Sequence, residues 1–395
     1  MGVSATENFS ASLQEDAHKI FYFRLSFLAT GLAFLVILLG AYTRLTDAGL
    51  GCPDWPGCYG NWIVNNPGNE NPLINITKAW TEMIHRYLAG SLGMMILLLA
   101  VIPIRNRIKT RNKIEQSLPL FLPLILCILV VFQALLGMWT VTLRLLPLVV
   151  MAHLLGGFAT LSLLWYLTLV VKTNICKRKS VYFLDSRSSL DKARDGNDDT
   201  LDYRENDSVL DSSFRGNESA RTVIDSPRFK KSAVFSIIVL CTQLFLGGWT
   251  SANYAALACT KFPDCQPHLS VNYDLKNIKE AFRLTAAGPS KIGKPLDANA
   301  LMIIHMAHRF NALITALVLG FFCYGLFVYS KNTALKNLSV ILFSLLIIQI
   351  LLGILNVLAH LPLGVAVLHN GVAALLLLTL ITITFNTYTS SRKIL

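Results

Sequence analysis

The sequence predicts an all-α polytopic membrane protein, with eight transmembrane helices arranged as two four-helix bundles related by a pseudo-twofold axis. Three observations predict it. Of 395 residues, 53% are hydrophobic and 15% charged, where an average globular chain carries roughly a quarter charged. Eight apolar stretches approach or exceed the ~20 residues that a spanning helix needs. The motifs of the first half recur, in the same order, in the second. The formal net charge of +12 would suggest nucleic acid in a soluble chain, but no nucleic-acid-binding pattern accompanies it. Here it reads as the Lys and Arg excess of cytoplasmic loops.

Residues 1–24 form a cytoplasmic tail whose polar part, Met1–His18, is neither a signal peptide nor an Arg-rich transit sequence, so the first apolar stretch must direct insertion. The N-terminal bundle, 25–172, contains stretches 25–42, 80–104, 118–143 and 145–171. Between the second and third stand Arg105, Arg107, Lys109, Arg111 and Lys113, which place that connection in the cytoplasm. Residues 172–231 hold 24 of the chain's 58 Lys, Arg, Asp and Glu. Without a sustained apolar period, 173–231 reads as a mobile, disordered cytoplasmic insert. The C-terminal bundle, 232–386, contains stretches 233–251, 300–328, 338–359 and 361–385, and a tail, 387–395, follows. Lys19 and Arg24, Lys331 and Lys336, and Arg392 and Lys393 agree with cytoplasmic termini. Loops 45–79 and 253–299 then face outward. The second carries Lys261, Lys276, Lys279, Arg283, Lys291 and Lys294, tolerated because long loops translocate largely regardless of charge. The simplest address is a bacterial inner membrane.

The repeat supplies the functional candidates. Gln133-Ala-Leu-Leu-Gly137 is followed by His153, twenty residues after Gln133. Gln349-Ile-Leu-Leu-Gly353 is followed by His369 at the same interval. His85-Arg86 matches His308-Arg309, and Cys52-x5-Cys58 matches Cys259-x5-Cys265. Each half crosses the membrane an even number of times, so both insert with the same orientation, the parallel kind of repeat.

Counting from the outer ends of their helices, His85 and His308 lie ~8 Å deep, and His153 and His369 ~12 Å deep. Four histidines thus share one layer, two per bundle. Intramembrane ionisable groups are costly and usually functional. One isolated histidine is well explained as an interhelical hydrogen bond, but four repeated in register are not. Zinc or copper would usually require three or four close ligands, and each bundle supplies two imidazoles with no carboxylate or thiol at the required position in both halves. Two imidazoles facing across a bundle instead suit the axial positions of haem iron. Gly90, Gly93, Gly156, Gly157 and Gly371 would let a flat macrocycle approach, although glycine also favours ordinary helix packing. Arg86 and Arg309 are candidate contacts for haem propionates. The repeat breaks at one position: Glu82 stands three residues before His85, whereas His305 stands three before His308. That spacing puts each pair on one helix face. A helix-start carboxylate suiting the dipole is the bland reading of Glu82. The functional reading gives chemistry to the first bundle and a permanent redox cofactor to the second.

Cys52, Cys58, Cys259 and Cys265 lie on the oxidising side, where disulfides persist. Two thiols are too few for a closed zinc site. Two local disulfides pinning the loops are the leading reading, with a redox-active Cys52–Cys58 pair as the alternative. Cys127, Cys241 and Cys323 read as helix-core residues, and Cys176 as a reduced cytoplasmic thiol.

The run from Thr43 through Gly51 to Cys52-Pro-Asp-Trp-Pro-Gly-Cys58, the Glu82-Met-Ile-His85-Arg86 segment and the paired Gln-x3-Gly…His segments resemble the haem A synthases. The resemblance covers both bundles and leaves out the N-terminal tail and the insert. It implies oxidation of the C8 methyl group of haem O to a formyl group, giving haem A for terminal oxidases. It implies substrate haem between His85 and His153, haem b as cofactor between His308 and His369, and Glu82 as the essential carboxylate. Haem O is then the substrate, with an unidentified electron donor. Haem O synthase and other oxidase-assembly proteins are expected partners, alongside the lipid bilayer. An unactivated methyl requires an oxidising iron or an oxygen-derived species, which side chains alone cannot supply. Successive hydroxylations would give a geminal diol that loses water to the aldehyde, with Glu82 moving protons. Two alternatives come from other classes. A bis-histidine dihaem electron-transfer cytochrome would not need Glu82 in one bundle only. A haem transporter predicts broken helices and a midplane site.

Overall fold

Apolar composition over a sufficient length leads each stretch to satisfy its own backbone as a helix, as a bilayer requires. The computed structural model describes residues 2–64, 75–109, 118–195, 227–265, 271–284 and 296–390, the side chains of 2–16, 177–195 and 390 excepted. The helices in chain order are α1 (Gly2–Leu45), α2 (Ile76–Lys109), α3 (Phe121–Thr142), α4 (Pro147–Asp195), α5 (Pro227–Ala252), α6 (Leu275–Ala281), α7 (Ala298–Tyr329), α8 (Thr333–Leu358) and α9 (Leu363–Ser390). All except the short α6 are long and apolar enough to cross a membrane. The chain is a multi-pass membrane protein, with eight such spans among the described residues. Arg111, Lys113, Lys291, Lys294, Arg392 and Lys393, used above to orient the chain, lie outside the described residues, as do 196–226 of the insert.

Local signals set several helix starts. Pro147 and Pro227 occupy first helical positions, where the missing N–H costs nothing. Asp297 accepts from the Ala300 N–H at 2.7 Å, and Asn332 from the Ala334 N–H at 2.9 Å. The fourth span does not stop where the charges begin. From Lys172 to Asp195 there is no Gly or Pro, and α4 continues to Asp195. The first part of the expected disordered insert is therefore helical, because a polar composition alone does not break a helix.

Helices α1 to α4 pack as a ring in sequence order, and α5, α7, α8 and α9 repeat it. The halves meet through α1 against α9, α4 against α5, and α4 against α9. Exchanging the two halves leaves that pattern unchanged, the signature of the expected pseudo-twofold. Backbone detail repeats too. Asp47 and Tyr254, Arg144 and His360, and Leu145 and Leu361 are corresponding left-handed residues at helix ends. Glycine permits close approach at both symmetric contacts: Gly371 of α9 receives Leu38 of α1, and Gly248 of α5 receives Met151 and Leu154 of α4. Gly371 thus serves interhelical packing. Across the joint, the indole of Trp165 donates to Thr382 at 2.8 Å. At the cysteine end, Arg44 donates to the Ser251 carbonyl at 2.6 Å and lies over the Tyr254 ring. A continuous core including Ile96, Leu99, Leu164, Leu319, Leu377 and Leu380 runs through both halves. Phe121, Ile128 and Phe321 face outward, as lipid contact requires. Cys323 is buried and Cys127 half-buried, but Cys241 is exposed on α5. Its helical position alone did not reveal which face it occupies.

Candidate functional site

Both cysteine pairs form disulfides within their own loops, Cys52–Cys58 and Cys259–Cys265. The first loop is further closed by Asp54, whose carboxylate accepts from the N–H groups of Tyr59 and Gly60 at 2.7 and 2.8 Å. Each loop is then fastened to a helix by the arginine beside a histidine. Arg86 Nη1 donates to the carbonyls of Asp54, Pro56 and Gly57. Arg309 Nη1 donates to Lys261, Pro263 and Asp264, and its Nη2 to Cys259 at 2.8 Å. Both candidate propionate contacts are therefore engaged as loop clamps, a role set by neighbours distant in sequence. The Nε of Arg309 remains buried without a partner.

Glu82 is 5% exposed. Its Oε1 accepts from Arg86 Nη2 at 2.5 Å, and its Oε2 from the Cys52 N–H at 2.9 Å. The second contact depends on Gly51, where a Cβ would strike the backbone of Lys78 at 2.6 Å and of Ala79 at 2.7 Å. His305, also buried, does the corresponding thing: its Nδ1 accepts from the Cys259 N–H at 3.3 Å. Position 82 and its counterpart thus share a loop-holding contact, while the carboxylate and its ion pair belong to the first half.

The four histidines share a seat that composition did not single out. Each ring lies against a glycine of a neighbouring helix: His85 on Gly40, His153 on Gly137, His308 on Gly247 and His369 on Gly353. An added Cβ would sit 3.1, 3.4, 3.0 and 3.2 Å, respectively, from the ring Cε1. Gly40 and Gly247 each stand twelve residues before the first cysteine of their loop, a register that could have revealed them. Gly156, by contrast, faces the Gln133 amide, and nothing lies near Gly90.

The His85 and His153 ring centres are 6.4 Å apart, at 75° to one another. Two metal–imidazole bonds of ~2 Å, each with ~1.1 Å from nitrogen to ring centre, would span about 6 Å. The pair is therefore spaced to ligate one iron from opposite sides. The Nδ1 atoms of His85, His153 and His369 are buried without a formed hydrogen bond. In the second half, Gln349 Nε2 lies 3.2 Å from Nε2 of His369. Among the described residues no group of three or more His, Cys, Asp or Glu could hold a metal ion, so the donor sets on offer are these imidazole pairs. They fit haem.

Imidazoles on neighbouring helices of each half, one pair 6.4 Å apart between ring centres, suit a membrane protein that handles haem. The chain belongs to the cytochrome oxidase assembly protein family COX15-CtaA, whose pattern matches residues 23–187 and 208–381. A haem A synthase of Shewanella oneidensis is 42% identical over 362 residues, covering 89% of this chain and 92% of that protein. A haem A synthase of Orientia tsutsugamushi is 26% identical over 376 residues, covering 89% and 91%. A protohaem IX farnesyltransferase of Haloarcula marismortui is 34% identical over 80 residues, 20% of this chain and 15% of that protein.

Proposed function

We propose that this chain is a haem A synthase, a membrane oxidoreductase that converts the C8 methyl group of haem O to a formyl group. One observation carries the reading beyond the likeness to its relatives. Two bundles with the same glycine-seated histidines, disulfide loops and arginine clamps differ where Glu82 in one becomes His305 in the other. A carrier with two equivalent haems has no use for that difference; an enzyme with one reacting and one resident haem does.

In this reading His85 and His153 bracket the substrate haem O, and His308 and His369 hold haem b. Haem b supplies one-electron redox capacity, which the side chains lack. The orphaned Nε of Arg309 is the donor left for a propionate at the second site. Arg86 and the Cys52–Cys58 loop cover the first site and limit water there. Glu82 supplies a carboxylate that can take up the protons released as the methyl group is oxidised. Its ion pair with Arg86 keeps the carboxylate in place between turnovers. The cysteine end faces outside a bacterial inner membrane, with both termini cytoplasmic. Haem O synthase and other oxidase-assembly proteins are its expected neighbours.

The test is haem extraction from membranes that contain the protein and are supplied with haem O. Formation of haem A is expected. Recovery of unchanged haem O, with both haem sites filled, would instead mark an electron-transfer cytochrome or a haem transporter.

A further inference from the structure

The four histidines share a glycine seat but not a polar partner. Gln243 Nε2 lies 3.1 Å from His308 Nδ1 and 3.3 Å from the His308 carbonyl. Asn311 Nδ2 donates to Gln243 Oε1 at 2.8 Å and lies 3.5 Å from Thr315 Oγ1. Thr315 is buried and donates to the Asn311 carbonyl at 2.8 Å. The result is a side-chain relay running from His308 along one face of α7.

The first half has no such relay. Gln243 stands four residues before Gly247, and Val36 stands four before Gly40. Asn311 and Thr315 follow His308 by three and seven residues; Leu88 and Leu92 follow His85 by the same intervals. Three polar residues in one bundle thus correspond to three apolar residues in the other. Accordingly, His85 Nδ1 is without a side-chain partner.

We propose that Gln243, braced by Asn311 and Thr315, is a positioning residue that fixes His308 as a permanent ligand of the second-half haem and lowers that haem's reduction potential. The inference rests on the reading that His308 and His369 hold a haem. With Nε2 on iron, Nδ1 would carry the proton, and the Gln243 amide would present its oxygen, giving up the 3.3 Å bond that its Nε2 donates to the His308 carbonyl. Asn311 can reverse with it, because an amide offers both an acceptor and donors. A hydrogen bond accepted from Nδ1–H fixes the ring and raises the basicity of the ligating nitrogen. A more basic axial ligand favours the ferric state, and hydrogen bonding around a haem is an established control on its potential. Without the relay, His85 is held less firmly, as suits a site whose haem must arrive as substrate and leave as product.

The experiment is a redox titration of the low-spin haem absorbance in the purified full-length protein, with electron paramagnetic resonance of the ferric form. The double variant Gln243→Val with Asn311→Leu reproduces two of the three first-half residues and leaves no stranded amide. Its midpoint potential should rise, and its haem should wash out faster. Gln243→Glu offers a stronger acceptor, so its potential should fall. Opposite shifts are not what a purely structural contact would give. Equal potentials and unchanged resonance in both variants, with haem bound, would overturn the proposal. If the double variant does not fold, the direction of the Gln243→Glu shift decides. His308→Ala separates the underlying reading: retention of the same haem signal in that variant would sink the ligand assignment itself. Loss of the signal there, with both Gln243 variants silent, would sink only the relay.

Discussion

Replacing each seating glycine with alanine should disturb the histidines in an order fixed by the space beside each ring. The new Cβ would lie 3.0 Å from Cε1 at His308, 3.1 Å at His85, 3.2 Å at His369 and 3.4 Å at His153. The last is ordinary van der Waals contact. The first must be relieved by a ring shift of about 0.4 Å, in an interior that resists small displacements. Overpacking of this kind costs roughly 1–3 kcal/mol, whereas Gly→Ala within a helix gains about 1 kcal/mol of propensity. Thermal stability should therefore change little, while ligand geometry changes measurably. In purified protein, Gly247→Ala should shift or weaken the low-spin haem spectrum, Gly353→Ala should do so less, and Gly137→Ala should leave bound substrate haem nearly unaltered. Equal disturbance by Gly137→Ala and Gly247→Ala, or silence in all four variants, would refute the reasoning that these glycines set the ligand positions.

Three further outcomes follow from the same geometry. Glu82→His installs the residue of the second half, which also accepts from the loop N–H, but removes the carboxylate. The loop should stay folded while haem A formation falls about 10²–10⁴-fold, and an unmutated rate would return Glu82 to a loop-holding role. Arg86→Lys loses the planar fork that reaches three carbonyls and Glu82; proteolysis or hydrogen exchange in residues 52–64 should accelerate, with about 1.5–3 kcal/mol lost per charged hydrogen bond. Non-reducing peptide mapping should recover Cys52 linked to Cys58 and Cys259 linked to Cys265, and cross-linked loops would contradict the two-unit arrangement.

The spans, the repeat and the paired histidines were legible because each depends on spacing along one chain segment. Apolar length gives the helix, and a recurring interval such as that from Gln133 to His153 and from Gln349 to His369 gives the register. The cysteine pairs were legible for the same reason, since their partners lie in one loop. What depends on side-chain neighbours across helices was not. Arg86 and Arg309 reach loop carbonyls, a choice hidden from a reading that saw only cations near a predicted haem. Gly371 was assigned to a macrocycle, yet it faces Leu38 of the other half. The helical continuation to Asp195 had a local signal, the absence of Gly and Pro, which the density of charges masked. Gln243 lies 65 residues from His308 in sequence, and its partner could be recognised only once α5 and α7 were packed together.

The division of labour between the bundles is the central claim, and site-resolved haem analysis tests it most directly. Purified full-length protein carrying either His153→Ala or His369→Ala should be loaded with haem O, and each retained haem extracted and identified. His369→Ala should lose haem b while still binding haem O in the first bundle. His153→Ala should do the converse, keeping haem b and losing the bound substrate. The reversed pattern, or loss of both haems to the same extent in each variant with the protein still folded, would contradict that division of labour.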